Sequence, residues 1–224
     1  TALIGDTQGF YEQMEQWATR EEKAFPRLLK FFLWGASLLV IVSLIAGYGL
    51  GYEGFKVVGN TLITINLLVF LTFIGKIQKS KLGFENTYHL LYTFKKSIAL
   101  IEKANQFKSN RFQLLQEKLH AGEQSASSSI SQLSRLLDDL DNVGNILVSI
   151  PLNIFTFYHL HTYQKLLRWK QAHAKHIASW LSVIAEVEVL HSFANFSYNN
   201  PSFAYPSLND QQLISFESLG HPLI

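Results

Sequence analysis

The sequence predicts an all-α protein, a bundle of long helices with an apolar hairpin near its start. Three observations predict it. Apolar residues recur at steps of three and four along most of the chain. Prolines stand only at positions 26, 151, 201, 206 and 222, so long stretches contain nothing that breaks a helix. Two charge-free apolar runs follow each other closely, Phe31 to Tyr52 and Val57 to Gly75. With 224 residues the chain has room for one or two domains. Neither Thr1 nor Ile224 reads as a natural terminus, so a piece of a larger protein is expected.

Residues 1–26 read as an amphipathic helix. Phe10, Met14 and Trp17 recur at helical steps from Thr7 to Phe25, and Pro26 closes the pattern. Residues 27–76 read as a membrane hairpin. About 20 mostly apolar residues carry a helix across a bilayer core, and the first run meets that length. The second is shorter and is interrupted by Asn60 and Asn66. Phe31, Phe32 and Trp34 at one end of the first run, with Tyr48, Tyr52 and Phe55 at the other, form the aromatic belts expected at the two interfaces. Lys23, Arg27 and Lys30 precede the hairpin and Lys76, Lys79 and Lys81 follow it, whereas Lys56 stands alone in the turn. That asymmetry places both ends in the cytoplasm, at an inner or cytoplasmic membrane. The competing reading buries both runs in a soluble helical core.

Residues 77–200 read as the helical body. Phe84, Tyr88, Leu91, Phe94, Ile98 and Ile101 form one stripe that Phe107, Leu115 and Leu119 extend, which predicts a single long helix. Gly122 and the serines from Ser125 to Ser131 make a corner, and a serine there caps a helix striped by Ile130, Leu133, Leu137 and Leu140. Ile146 to Leu160 is apolar on nearly all sides and is expected to be the most buried helix. With no proline from 152 to 200, one very long or slightly kinked helix is expected, running on through Leu166, Trp169, Ile177, Trp180, Ile184, Val187 and Leu190. Residues 201–224 read as a linker and the start of another domain, with a short strand at Leu213-Ile214-Ser215-Phe216.

Chemistry-bearing motifs are few. Net charge is +2 with no long run of one sign, which gives little support to a nucleic-acid groove driven by bulk charge. The absence of cysteine removes disulfides, thiolate metal sites and thiol nucleophiles. Gly49, Gly51 and Gly54 match the spacing of a dinucleotide fingerprint, but the apolar run before them is far too long for its strand, so they are read as the hairpin turn. His159 and His161, two apart on a helix, face different ways. His173 and His176 share a face but have no acidic ligand near them. Asp138, Asp139 and Asp141 are read as the polar face of their helix. No nucleophile with its base and no Walker phosphate loop occurs, so no catalytic, cofactor or metal residue is assigned, and the chain taken alone is not read as an enzyme.

The end of the chain has a distinctive order. Glu188, Leu190, Ser192 and Ala194 lie in a long helix, Pro201 in the loop after it, and Gly220, His221 and Pro222 beyond a short strand. This order resembles the end of the lever region in MutS-family DNA mismatch repair proteins, where a Gly-Arg-His-Pro-like motif opens the ATPase domain. The preceding hairpin and the corner at Ala126 to Leu133 resemble a membrane-associated branch of that family. The resemblance implies a core and lever that couples nucleotide state to its far end. It also implies an ATPase domain, with ATP and Mg, beyond the chain, a homodimer formed through that domain, DNA as a partner, and a lipid bilayer around the hairpin. Two departures stand out. His221 follows Gly220 directly, without the arginine, and no strand-rich DNA clamp interrupts the helices. Phe10-Tyr11-Glu12 matches the family's mismatch-reading Phe-x-Glu, but a membrane run follows it where a mixed α/β domain belongs, so the match is read as coincidence. The alternative function, from another class, is a membrane receptor or scaffold whose cytoplasmic bundle binds a protein partner.

Overall fold

The computed structural model describes residues 12, 14, 16–20, 22, 24–81, 88–120, 124–208, 210 and 214–216. Among them the fold is all-helical. The helices are α1 (Arg27–Leu44), α2 (Glu53–Lys81), α3 (Tyr88–Lys103), α4 (Asn110–Leu119), α5 (Ala126–Asp141), α6 (Ile146–Thr156) and α7 (Tyr158–Asn199). The chain forms two compact units, Thr1–Ala185 and Glu186–Ile224.

The hairpin forms as expected, and its turn explains the glycines. A π-helical turn, Ile45–Gly49, widens the end of α1, and the Leu50 amide donates to the Ile45 carbonyl at 3.1 Å. Gly51 then reverses the chain with φ +81°, a conformation that suits glycine. Gly47 is needed for a different reason. A Cβ there would stand 2.6 Å from the Lys56 backbone nitrogen, so only a bare backbone lets α2 approach so closely. Leu33, Ser37, Val40 and Ser43 form the α1 face turned inward, and Asn66, Phe70 and Ile77 form that of α2. Asn66, which interrupts the second apolar run, is buried and donates from Nδ2 to the Ile154 carbonyl at 2.8 Å.

Of the segment before the hairpin, residues 16–19 are helical and Met14 and Trp17 are buried, while Phe10 lies outside the described residues. Pro26 opens α1 as its N-cap, where a missing amide hydrogen costs nothing.

Phe84 lies outside the described residues; from Tyr88 to Leu119 the single long helix expected is instead two helices, α3 and α4, joined by a corner at residues 104–109. No glycine or proline marks the break. A tertiary bond accounts for it: the Gln116 side chain on α4 donates to the Ile101 and Ala104 carbonyls at 2.8 and 3.3 Å, giving the last turn of α3 acceptor partners it would otherwise lack. Phe107 and Phe112 pack on each other, ring centroids 4.9 Å apart. The serine corner caps α5 as expected, with the Ser128 amide donating to Ser125 Oγ at 3.3 Å. Glu102 joins it, accepting the Ser127 amide at 3.1 Å and the Ser127 hydroxyl. The α5 stripe is buried as expected: Ile130, Leu133, Leu137 and Leu140.

The second correction concerns Ile146 to Leu160. The helix does not run through it. Phe157 takes a left-handed conformation, φ 48°, and separates α6 from α7. The Asn153 side chain holds the corner: its Oδ1 accepts the His159 amide at 3.1 Å and its Nδ2 donates to the Ser149 carbonyl at 2.6 Å. Nor is α6 the most buried helix. It packs on α1 and α2 by one side and leaves Leu147 87% exposed. The first half of α7 is the buried element, with Leu160, Tyr163, Leu166, Leu167 and Trp169 all covered. The expected strand at Leu213–Phe216 is not formed at Ile214, Ser215 or Phe216, and among the described residues no strand is present to pair with it.

Candidate membrane anchor and helical cleft

Among the described residues, three helical stretches are long and apolar enough to cross a membrane: Leu28–Gly49, Glu53–Ser80 and Tyr158–Asn199. The first two differ from the third in chemistry. The outward faces of the hairpin are apolar and uncovered, with Phe31 72%, Phe32 67%, Leu39 57% and Val57 68% exposed. Within an apolar window of 18 residues, only 22% of the first stretch and 17% of the second are buried within the chain. An uncovered apolar surface of this extent is what a bilayer, or a large partner, covers. The third stretch carries Lys165, Arg168, Lys170, Lys175, Glu186 and Glu188, and its first half is clad in protein. It reads as a body helix.

The base of the hairpin is tied to α7 by specific contacts. Gln164 Nε2 donates to the Phe25 carbonyl at 3.2 Å, and Ser80 Oγ donates to the Tyr163 hydroxyl at 3.4 Å. Phe25 meets Phe73 and Tyr163 edge-on, with centroids 5.2 and 6.0 Å apart. Trp34 lies against His161 at 5.1 Å. At the far end, Asn60 Nδ2 donates to the Tyr48 hydroxyl at 3.2 Å, and Lys56 pairs with Glu53 at 2.6 Å. The hairpin is thus held at its entrance and at its turn, and the apolar span lies between.

A cleft of about 790 Å³ lies beside α7, with Ala174, Ile177, Ala178 and Leu181 among its apolar lining and Arg20, Glu22 and Lys175 among its charges. Lys170 also lines it. Lys170 is 4% exposed, and among the described residues its Nζ has no hydrogen-bond partner. Its ammonium sits 4.7 Å above the Trp17 ring, a cation–π contact that offsets part of its desolvation. Burial pushes its pKa down, Glu22 raises it, and Arg20 lowers it again.

The histidines separate as the helix period requires. His159 is buried against Asn153 and Phe70, His161 lies half-buried beside Trp34, and His173 and His176 pack on Trp180. No three potential metal ligands converge among the described residues. Tyr158, whose pKa burial and then Asp139 push up, accounts for one acidic residue of the Asp138–Asp141 cluster.

In the second unit, Glu188, Leu190, Ser192 and Ala194 are exposed on the end of α7 and Pro201 begins the turn after it. Ser192 Oγ donates to the Glu188 carbonyl at 2.9 Å, so two of the singled-out positions meet within one helical turn. Gly220, His221 and Pro222 lie outside the described residues. Sequence reasoning missed the cleft and the Asn153–His159 corner, because both depend on which helices become neighbours. No protein family, curated protein or solved structure matches the chain.

Proposed function

We propose that this chain is the membrane anchor and helical lever of a MutS-related, ATP-driven, DNA-associated protein, set in an inner or cytoplasmic membrane with its body in the cytoplasm. The observation that carries the anchor is the hairpin's uncovered apolar surface, bounded at its base by aromatic and basic residues. What supports the lever is one helix, α7, whose residues include both the contacts to the hairpin base and Glu188, Leu190, Ser192 and Ala194. ATP, Mg and the homodimer belong to the ATPase domain implied by the family resemblance, and DNA rests on that resemblance alone.

The anchor is tested by carbonate extraction of membranes from cells making the protein. The protein is expected in the pellet. Leu39→Lys combined with Leu68→Lys places a charge near the middle of each span, costing about 2.5–3.5 kcal/mol per residue, and should move it to the supernatant. A wild-type protein that extracts fully as a soluble monomer would remove the anchor. The family reading is tested separately by the sequence downstream of Ile224. A GxxxxGK[ST] phosphate loop is expected there, and its absence rules that reading out. The cleft beside Lys170 favours a second reading, a membrane scaffold whose body seats a partner's helix. That reading survives loss of the phosphate loop, whereas the first does not.

A further inference from the structure

The base of the hairpin carries lysines that the anchor does not by itself require. Lys30 and Trp34 are one turn apart on α1, and His161 and Lys165 are one turn apart on α7. The Trp34–His161 contact, with the rings tilted at 33°, joins the two pairs, so both lysines flank one aromatic platform. Its depth is set by independent contacts. Tyr163 and Gln164, between His161 and Lys165, are bonded to Ser80 and to the Phe25 carbonyl, the two ends of the hairpin base. Exposed Phe31, Phe32 and Trp34 stand beside Lys30 on the membrane side. Aromatic residues of this kind sit at the headgroup level, which puts Lys30 and Lys165 at the height of lipid phosphates. Both lysines are exposed, and among the described residues neither has an ion-pair partner. Burial first, and then the charges of Lys165 and Lys30, hold the His161 imidazole below its usual range.

We infer that Lys30 and Lys165, set around the Trp34–His161 platform, form a binding site for the phosphodiester headgroup of an anionic phospholipid. This rests on the reading of α1 and α2 as a membrane hairpin. The occupant follows from charge and depth. Two unpaired ammonium groups at the interface call for an anion, and the anion present at that level of a bilayer is the lipid phosphate. The long lysine stems let both ammonium groups reach it while their methylenes stay on the apolar rim. The site would bind α1 and α7 to the same lipid, so the body is seated on the surface as well as tethered to it.

The experiment reconstitutes the protein into phosphatidylcholine vesicles with or without phosphatidylglycerol. Spin-labelled forms of each lipid give the relative affinity of the protein boundary for the two. The wild type should prefer phosphatidylglycerol, and the preference should weaken with salt. Lys30→Gln and Lys165→Gln should each reduce it about fivefold, while incorporation into pure phosphatidylcholine stays unchanged. Lys108→Gln with Lys118→Gln, exposed lysines on the body, should leave the preference intact. Incorporation without any preference, or a preference that persists when Lys30→Gln and Lys165→Gln are combined, overturns the site but leaves the hairpin standing. Loss of the preference to inorganic phosphate at matched ionic strength would make a soluble anion the occupant and also overturns it. Failure of the wild type to enter phosphatidylcholine vesicles overturns the hairpin itself, and the site with it.

Discussion

At the scale of single residues, much of this molecule turns on what a side chain would collide with. Gly47 is a backbone contact between α1 and α2, with the Lys56 nitrogen 2.6 Å from where a Cβ would be. Gly35, on the same helix, has nothing within 4 Å of its Cβ position. The two therefore answer the same substitution differently. Gly47→Ala should destabilise the hairpin by about 1–3 kcal/mol, because the obstacle is backbone and cannot rotate away. Gly35→Ala should be neutral or stabilising by up to about 1 kcal/mol, since alanine is the better helix former. Denaturant unfolding of the protein in detergent measures both, and equal responses would refute the close approach. The close approach is legible in sequence, where Ala36, Ser43 and Gly47 read as small residues that let two helices come together, but the open space at Gly35 is not.

At the scale of elements, the informative places are where periodicity predicts one helix and the structure makes two. Leu115 and Leu119 keep the phase of the stripe that ends at Ile101, although Asn105 and Lys108, which fall between in the same phase, are polar. What interrupts the helix is Gln116 bonding to carbonyls of α3 from the following helix. The break between α6 and α7 has the same origin, since Asn153 holds Phe157 in its left-handed conformation. Phe157 is 1% exposed, so Phe157→Ala should cost about 3–5 kcal/mol. Phe157→Gly loses the same packing but relieves the backbone, and should be the more stable of the two by about 1 kcal/mol. Thermal unfolding of both variants checks the order. A helix running straight through residue 157 would reverse it, because glycine is the worse helix former. By contrast, α5 was legible in full: its serine cap and its leucine stripe depend on neighbours within one or two turns.

At the scale of the whole molecule, the proposed topology puts both ends of the hairpin on one side of the membrane and the Glu53–Lys56 turn on the other. The chain has no cysteine, so single cysteines can be introduced without background. Glu53→Cys, at a side chain 82% exposed, should react with a membrane-impermeant maleimide from outside intact cells. Arg135→Cys, exposed on α5, should react only after the membrane is opened. Labelling of both positions from the same side would contradict the hairpin topology.

The sequence by itself determined the helical class, the apolar hairpin with its flanking charges, and the amphipathic face of α5. These follow from periods of three to four residues and from runs of uncharged residues, which are properties of neighbours along the chain. The tertiary structure decided where the long stripes break, which helix is buried most deeply, and which residues meet at the hairpin base. Gln116 with Ile101, Asn66 with Ile154, and Trp34 with His161 are pairs distant in sequence. Side-chain bonds to helix ends and helix-to-helix packing select such pairs, and no local pattern encodes which partners will meet.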